Sequence, residues 1–534
     1  MVKKILFLTL AIMIIGSLLA SGCGSSTGTP TATQDVGNAK SGGTERVLWQ
    51  TGISNLSYIA KQGMTDETMA KAYAETLVYY AGTGDFKPEL AKSWDIDTTA
   101  KTLTFHLQTG VKFQDGTPFN AAAVKWNVQN LIDSKRLSNG ALVTSIEAKD
   151  DNTFVYHLNA MMTPSMMLHS WGYDLLTMFS PTAYLTAGGT IASGSDNDKS
   201  AAWATAHFCS TGPFKFDSWT QDVSLKIVKN TDYWRGKQYP YLDAIQFFFV
   251  ADTSIASAKM QAGEADAWSG PALKEATDLE KMPGFSLNIG VGGFYTDIIP
   301  NNVSDGSVFK DQKVREALEY AIDRDALASA LGYGKLSAVT QCGGPASSQG
   351  YNKDFQVRAH NVQKAKDLLK EAGYPSGIST KMMIFTASNQ DLATAIQADL
   401  AEAGIKVDID VADPGRYIGS LYQGGWEGLL LWSCPIDPEF ALGWFVHFGR
   451  QAIFPYPSLK WPDAYWTLVD KVQSAPTVDE MRADTKDMMT FVSEGAYIIP
   501  LINSLNMNVT KKTVHTQMNK EHFMTWHNYL DWME

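Results

Sequence analysis

Residues 380–411 leave the chain the least freedom. "TKMMIFTA" (residues 380–387) is an apolar run of strand length, residues 392–403 carry a helical pattern, and Gly404 stops it. "IKVDIDV" (residues 405–411) then alternates Ile405, Val407, Ile409 and Val411 against Lys406, Asp408 and Asp410, the period of two of a half-buried strand. Strand, helix and strand with short connections form a βαβ unit. Such a unit pairs its two strands in parallel through a right-handed crossover. The second half of the chain is therefore α/β.

The first half carries different signals. "TLTFHLQTGVKF" (residues 102–113) sets Leu103, Phe105 and Leu107 against Thr104, His106 and Gln108, which predicts a strand with His106 on its solvated face. "DGTPF" (residues 115–119) follows as a turn, and Asn120 is placed to cap a helix that buries Val124, Val128, Leu131 and Ile132. A further helix is predicted over residues 311–330, with Val314, Ala317, Leu318, Ala321 and Ile322 on one face. No internal repeat of fixed period is present.

At the N-terminus, Lys3 and Lys4 precede a mostly apolar run, residues 5–20. A membrane-spanning helix needs ~20 apolar residues to cross ~30 Å of hydrocarbon. This run is shorter, follows positive charge and ends in small residues, the pattern of a secretory signal peptide. Ala20-Ser21-Gly22-Cys23 resembles a bacterial lipobox, with alanine where leucine is commoner, so residues 1–22 are expected to be cleaved and Cys23 to carry a lipid. The alternative is an ordinary cleaved signal with a chance cysteine. Residues 23–43, rich in Gly, Ser and Thr, read as a flexible tether holding an extracytoplasmic domain at the membrane.

At 534 residues the chain exceeds what one core usually serves, so two or more lobes are expected. A formal net charge of −12 argues against nucleic acid as a partner, because phosphate binding calls for clustered Lys and Arg. Fifteen Trp, 21 Tyr and 24 Phe chiefly fill cores, although rigid rings also make ligand platforms. Beyond Cys23, the cysteines Cys209, Cys342 and Cys434 match no zinc spacing and allow at most one disulfide, in any of three pairings. No nucleophile elbow, zinc-protease helix or phosphate loop occurs, and the nine histidines are scattered singly. No enzyme activity, cofactor or metal is expected.

Several blocks, taken together, are similar to one family. "LAKSWDIDTTAKTLTFHLQTGVKFQDGTPFNAAAVKWN" (residues 90–127), "STGPFKFDSWTQDVSLKIVKNTDYWRGK" (residues 210–237), "AKMQAGEADAW", "VREALEYAIDRDALASAL" and "AKDLLKEAGYP" followed by the βαβ unit stand in one order along the chain. They resemble the peptide/nickel family of extracellular solute-binding proteins, family 5, the receptors of ATP-binding-cassette importers. The resemblance runs from about residue 46 to residue 534. It implies an α/β, bilobal, periplasmic-binding-protein-like fold of class II, large, with an extra subdomain inserted in the first lobe. Lobe I would use residues 44–79, 209–295 and 503–534, the insert residues 80–208, and lobe II residues 296–502. It also implies a monomer that closes on a small-molecule ligand and delivers it to membrane permease subunits.

Within that resemblance, "LLLWSCPIDPEFALGW" (residues 429–444) matches the segment lining the family's cleft floor. Peptide-binding relatives place an aspartate three residues after the tryptophan matching Trp432, where it holds the peptide ammonium. Here that position is Pro435, which has no acceptor, and Asp437 stands two residues further on. Candidate ligand contacts are Trp432, Ser433, Cys434, Asp437 and Trp426, with Glu67 and Met69 from the first lobe. The expected ligand is a small organic solute other than an ordinary free peptide. The alternatives are an oligopeptide or dipeptide receptor proper and, from another class, a secreted glycoside hydrolase with paired carboxylates. A structural lipoprotein without a ligand is a third reading.

Overall fold

In the computed structural model, the alternation in residues 405–411 becomes strand Ile405–Ala412, with Ile405 and Val407 buried and Lys406 and Asp408 exposed. It pairs in parallel with strand Ile378–Phe385, from Ile378 opposite Ile405 to Phe385 opposite Ala412. Helix Gln390–Glu402 lies between them in sequence and buries Ala393, Ile396 and Leu400. Gly404, with φ +86°, makes the turn into the second strand, and its carbonyl lies 2.0 Å from where a Cβ on Gly377 would stand. Glycine is required there because the two backbones touch.

The structure describes residues 39–534, apart from 61–63, 82–84, 174–175, 190–198, 347, 386–388, 437–439, 451, 453, 519 and 521–525. The signal, Cys23, most of the tether and Asp437 therefore lie outside the described residues, as does the side chain of Cys434. No helix among the described residues is long and apolar enough to cross a membrane.

Strands are numbered along the chain. The first, β1, is Thr44–Trp49; β2 (Val78–Tyr80) and β3 (Phe86–Pro88) form a small hairpin. Four antiparallel strands, β4 (Ala91–Asp97), β5 (Thr102–Leu107), β6 (Val143–Asp150) and β7 (Thr153–Leu158), form a separate sheet in the order β4-β5-β7-β6. In β5, Leu103, Phe105 and Leu107 are fully buried, while His106 on the other face meets Asp95 at 2.7 Å. Helix Ala121–Asp133 follows, capped as predicted by Asn120, whose side chain accepts from the Ala123 amide.

The remaining main strands are β8 (Phe214–Thr220), β9 (Ser224–Lys229), β10 (Ala244–Phe249), β11 (Ala267–Ser269), β12 (Phe285–Pro300), β13 (Ile378–Phe385), β14 (Ile405–Ala412), β15 (Leu429–Ile436) and β16 (Ile499–Lys511). With β1 they build one ten-stranded sheet, ordered β14-β13-β15-β12-β16-β11-β1-β10-β9-β8. Strands β12 and β16 are antiparallel partners along most of their length and carry the sheet from one half of the molecule to the other. This mixed α/β arrangement is consistent with the bilobal architecture that the resemblance implies.

One core packs helices Gln312–Ala321, Val362–Glu371 and Gln390–Glu402 against β13–β15. A smaller one surrounds Leu48, Met260, Trp268 and Val509 at the other end of the sheet. The predicted helix over 311–330 is two helices, Gln312–Ala321 and Arg324–Leu331. Asp323 breaks it, because its side chain accepts from the Ala326 amide and caps the second helix instead of continuing the first. The apolar face survives the break: Val314, Ala317, Leu318, Ala321 and Ile322 are all fully buried.

Candidate functional site

Strand β15 opens with three leucines that are buried because the strand is interior, with β13 on one side and β12 on the other. Trp432 follows, half-buried, and then Ser433, exposed. The Trp432 ring stands among four others. Tyr417 lies parallel to it at 6.2 Å and 13°, while His447, Phe454 and Tyr456 approach edge-on at 5.5, 6.3 and 6.0 Å. Such offset and T-shaped pairs each contribute about 0.5–1.5 kcal/mol beyond burial.

The surrounding rings are fixed by their own bonds. Tyr417 Oη donates to the Leu431 carbonyl at 2.6 Å, and burial raises its pKa. His447, on helix Phe440–Phe448, lies 2.9 Å from Tyr456 Oη through Nδ1, and burial lowers its pKa to about 4. At neutral pH it is therefore an uncharged ring. A cavity of about 660 Å³ adjoins this cluster, lined by His447, Phe454, Tyr456, Arg450, Trp461 and Trp466. Beside it the Arg450 guanidinium donates to Asp470 through Nε and one terminal nitrogen, at 2.5 and 2.6 Å.

The sheet register sets what faces Trp432. Its partner on β12 is Asp297, and directly opposed residues of an antiparallel pair point to one face. Tyr295 and Ile299 belong to the same apolar cluster that Trp432 borders, whereas Ile298 and Leu431 point into the core on the other face. Asp297 is fully buried and neither carboxylate oxygen has a hydrogen-bond partner. Desolvation holds its pKa well above the usual carboxylate range. The Trp432 indole N–H is likewise buried without a partner.

Sequence-predicted residues fall into distinct places. Trp432 and Ser433 sit side by side on β15. Trp426 is buried, and its indole donates to the Ile299 carbonyl at 3.0 Å while its own carbonyl accepts from Asn301 at 2.6 Å. Its polar edge is thus committed to the framework. Met69 is fully buried in the apolar cluster that Trp432 borders, and Glu67 is buried in helix Met64–Ala70, where an acid favours the helix N-terminus. Cys209 and Cys342 are free thiols, so neither joins a disulfide. Burial pushes Cys209 up to about 12 and raises Cys342, whose Sγ donates to the Ile498 carbonyl. No group of three or more His, Cys, Asp and Glu among the described residues is arranged to hold a metal.

Sequence reasoning missed Asp297, Tyr417, Phe454 and Tyr456. The one available signal was an acid inside the apolar strand "FYTDIIP".

The profile of the family described as "Bacterial extracellular solute-binding proteins, family 5 Middle" matches residues 85–451. The glutathione-binding protein GsiB of Shigella flexneri serotype 5b is 31% identical over 409 residues, 74% of either chain. GsiB of Pectobacterium atrosepticum is 30% identical over 428 residues, 77% of either chain. Among solved structures, DppA of Helicobacter pylori in complex with the peptide STSA superposes with a TM-score of 0.79 at 25% identity, covering 93% of this chain and 99% of that one. AgaA of A. tumefaciens R10 in complex with agropinic acid gives 0.75 at 25% identity, covering 92% and 99%. From the ten-stranded bilobal sheet and the match over residues 85–451, the chain belongs to the family 5 bacterial extracellular solute-binding proteins, of the peptide/nickel type.

Proposed function

We propose that this protein is the substrate-binding component of an ATP-binding-cassette importer, capturing one small organic solute beside Trp432 and delivering it to a membrane permease. The observation that carries the reading is the ring cluster around Trp432, in a member of a solute-binding family, with an indole donor left without a protein partner. A buried donor without a partner costs about 1–3 kcal/mol, which a ligand acceptor would offset. The protein turns over nothing in this reading. It works as a monomer held outside the cell by a lipid on Cys23, with residues 44–79, 209–295 and 503–534 as lobe I, 80–208 as its insert and 296–502 as lobe II.

Capture of a peptide is the second reading. The similarity to glutathione-binding GsiB and to peptide-bound DppA supports it, while Pro435, which offers no acid, weighs against an ordinary free peptide. Mass spectrometry of solutes released from the natively purified protein tests both. A single co-purifying solute that rebinds one-to-one by calorimetry, with a smaller scattering radius when bound, is the expected result. A protein that carries and rebinds no solute would refute the capture role.

A further inference from the structure

Two opposed residues of the β12–β15 pair each hold an unanswered polar group. Asp297 presents two acceptors and Trp432 one donor, all buried and all without a hydrogen-bond partner. They do not answer each other, although register and strand alternation set both side chains on one face. Glu319, by contrast, takes the Arg358 guanidinium at 2.5 Å. Glu45 on β1 is also fully buried with both oxygens unanswered, but no unanswered donor stands opposite it. Leaving a fully buried carboxylate without any donor is costly, and an apolar residue would fill the same place without that cost. What sets Asp297 apart is that an unanswered donor stands opposite it, so one partner with both a donor and an acceptor would satisfy the two groups together.

The surroundings say what kind of partner. Tyr417, His447, Phe454 and Tyr456 ring Trp432, and His447 is an uncharged ring there. An acid opposite an aromatic side chain favours an organic cation, which gains a charge-assisted bond from the acid and cation–π attraction from the Trp432 ring. The indole N–H then suits an acceptor oxygen on the same ligand.

We propose that Asp297, together with the Trp432 ring, forms the subsite that binds a cationic nitrogen of the transported solute. The inference rests on the solute-capture reading and deepens it by naming the ligand class: a small amine or quaternary ammonium compound that also carries an acceptor oxygen.

The test uses the mature protein and its Asp297→Asn variant, titrated by calorimetry with glutathione, the dipeptide Met-Leu and choline. Each probe is matched by a control without the cation: N-acetyl-glutathione, N-acetyl-Met-Leu and 3,3-dimethylbutan-1-ol. At least one cationic probe is expected to bind the native protein, with its control at least about 30-fold weaker. Asp297→Asn is expected to weaken the same probe by a similar factor and to melt at no lower temperature. Because the variant keeps the side-chain shape, its melting curve separates lost binding from lost folding. Trp432→Leu should weaken the cationic probe more than its control, because the ring's attraction for the cation is lost as well as its surface. Equal affinity for a probe and its control, unchanged affinity of Asp297→Asn, or a co-purified solute without a cationic nitrogen would overturn the inference while leaving solute capture standing. A native protein that carries no solute and binds none of the probes would overturn capture itself.

Discussion

At the scale of single residues, burial decides which groups keep their charge. His447 sits almost wholly inside the ring cluster, and desolvation lowers its pKa to about 4, against about 6.5 for an unfolded chain. Between those values the unfolded state binds the proton and the folded state does not. The stability His447 contributes is therefore present above pH 6.5 and is lost as pH falls through 4, by up to about 3 kcal/mol. His447→Gln, which can still reach Tyr456, is expected to flatten the fall in melting temperature between pH 6.5 and 4.5; calorimetric scans across that range check it. Glu75 shows the other side of burial. It accepts from Thr211, Tyr233 and Trp234 at 2.8–2.9 Å and lies 3.5 Å from the Arg235 guanidinium. Glu75→Ala leaves that cation only the longer pair to Glu89 at 3.9 Å and strips Thr211, Tyr233 and Trp234 of their acceptor, so urea unfolding is expected to show a loss of about 3 kcal/mol, with Glu75→Gln losing less. The block "NTDYW" was legible in the sequence as a pattern. Its reason was not, since the carboxylate that Tyr233 reaches lies 158 positions earlier. Asp297 was illegible for the same cause: its meaning depends on facing Trp432 across two strands, which no local pattern records.

At the scale of elements, local signals predicted what local forces determine. The βαβ unit, strand β5 and the Asn120 cap stand where alternation and capping chemistry put them. The helix over 311–330 did not, because an apolar stripe continues across a break that one capping aspartate makes. The pairing of β12 with β16 was not legible at all, since the first strand ends at Pro300 and the second begins only at Ile499. That pairing carries an irregularity. Between the pairs Ile289–Met507 and Gly293–Leu505, Gly290, Val291 and Gly292 stand opposite Asn506 alone. A bulge loosens a ladder and raises its local twist, and glycines there lower the cost of bending. This is the point at which the crossing strands would flex on closure. The double substitution Gly290→Val, Gly292→Val is expected to leave the circular dichroism spectrum unchanged and to reduce the ligand-dependent contraction seen by small-angle scattering. An unaltered contraction would place the hinge elsewhere.

At the scale of the molecule, a second junction joins distant parts of the chain. Thr163 donates through Oγ1 to the Ala475 carbonyl at 2.9 Å and through its amide to Gln473, and Ser165 lies against Met481. These partners are more than 300 positions apart and come from the segment proposed as the insert and the one proposed as lobe II. If the crossing strands are the hinge, this junction belongs to the closed form. Thr163→Val keeps the side-chain shape and removes the hydroxyl donor, so it is expected to weaken ligand binding about 5-fold through a less stable closed state, with dissociation faster and association unchanged. Stopped-flow binding separates the two rates.

The position of β16 between β11 and β12 has a consequence in time. A chain made or threaded through a pore from its N-terminus releases β16 near the end, yet β16 joins the two parts of the ten-stranded sheet. Until residues 499–511 have emerged, the strands on its two sides share no ladder, so neither part can set the other's register. Native contacts of such long sequence separation form slowly. The topology thus keeps a nascent chain from settling early into its final form. An exported receptor gains from that delay, because it must stay loose enough to thread and then lock once its last long strand is through.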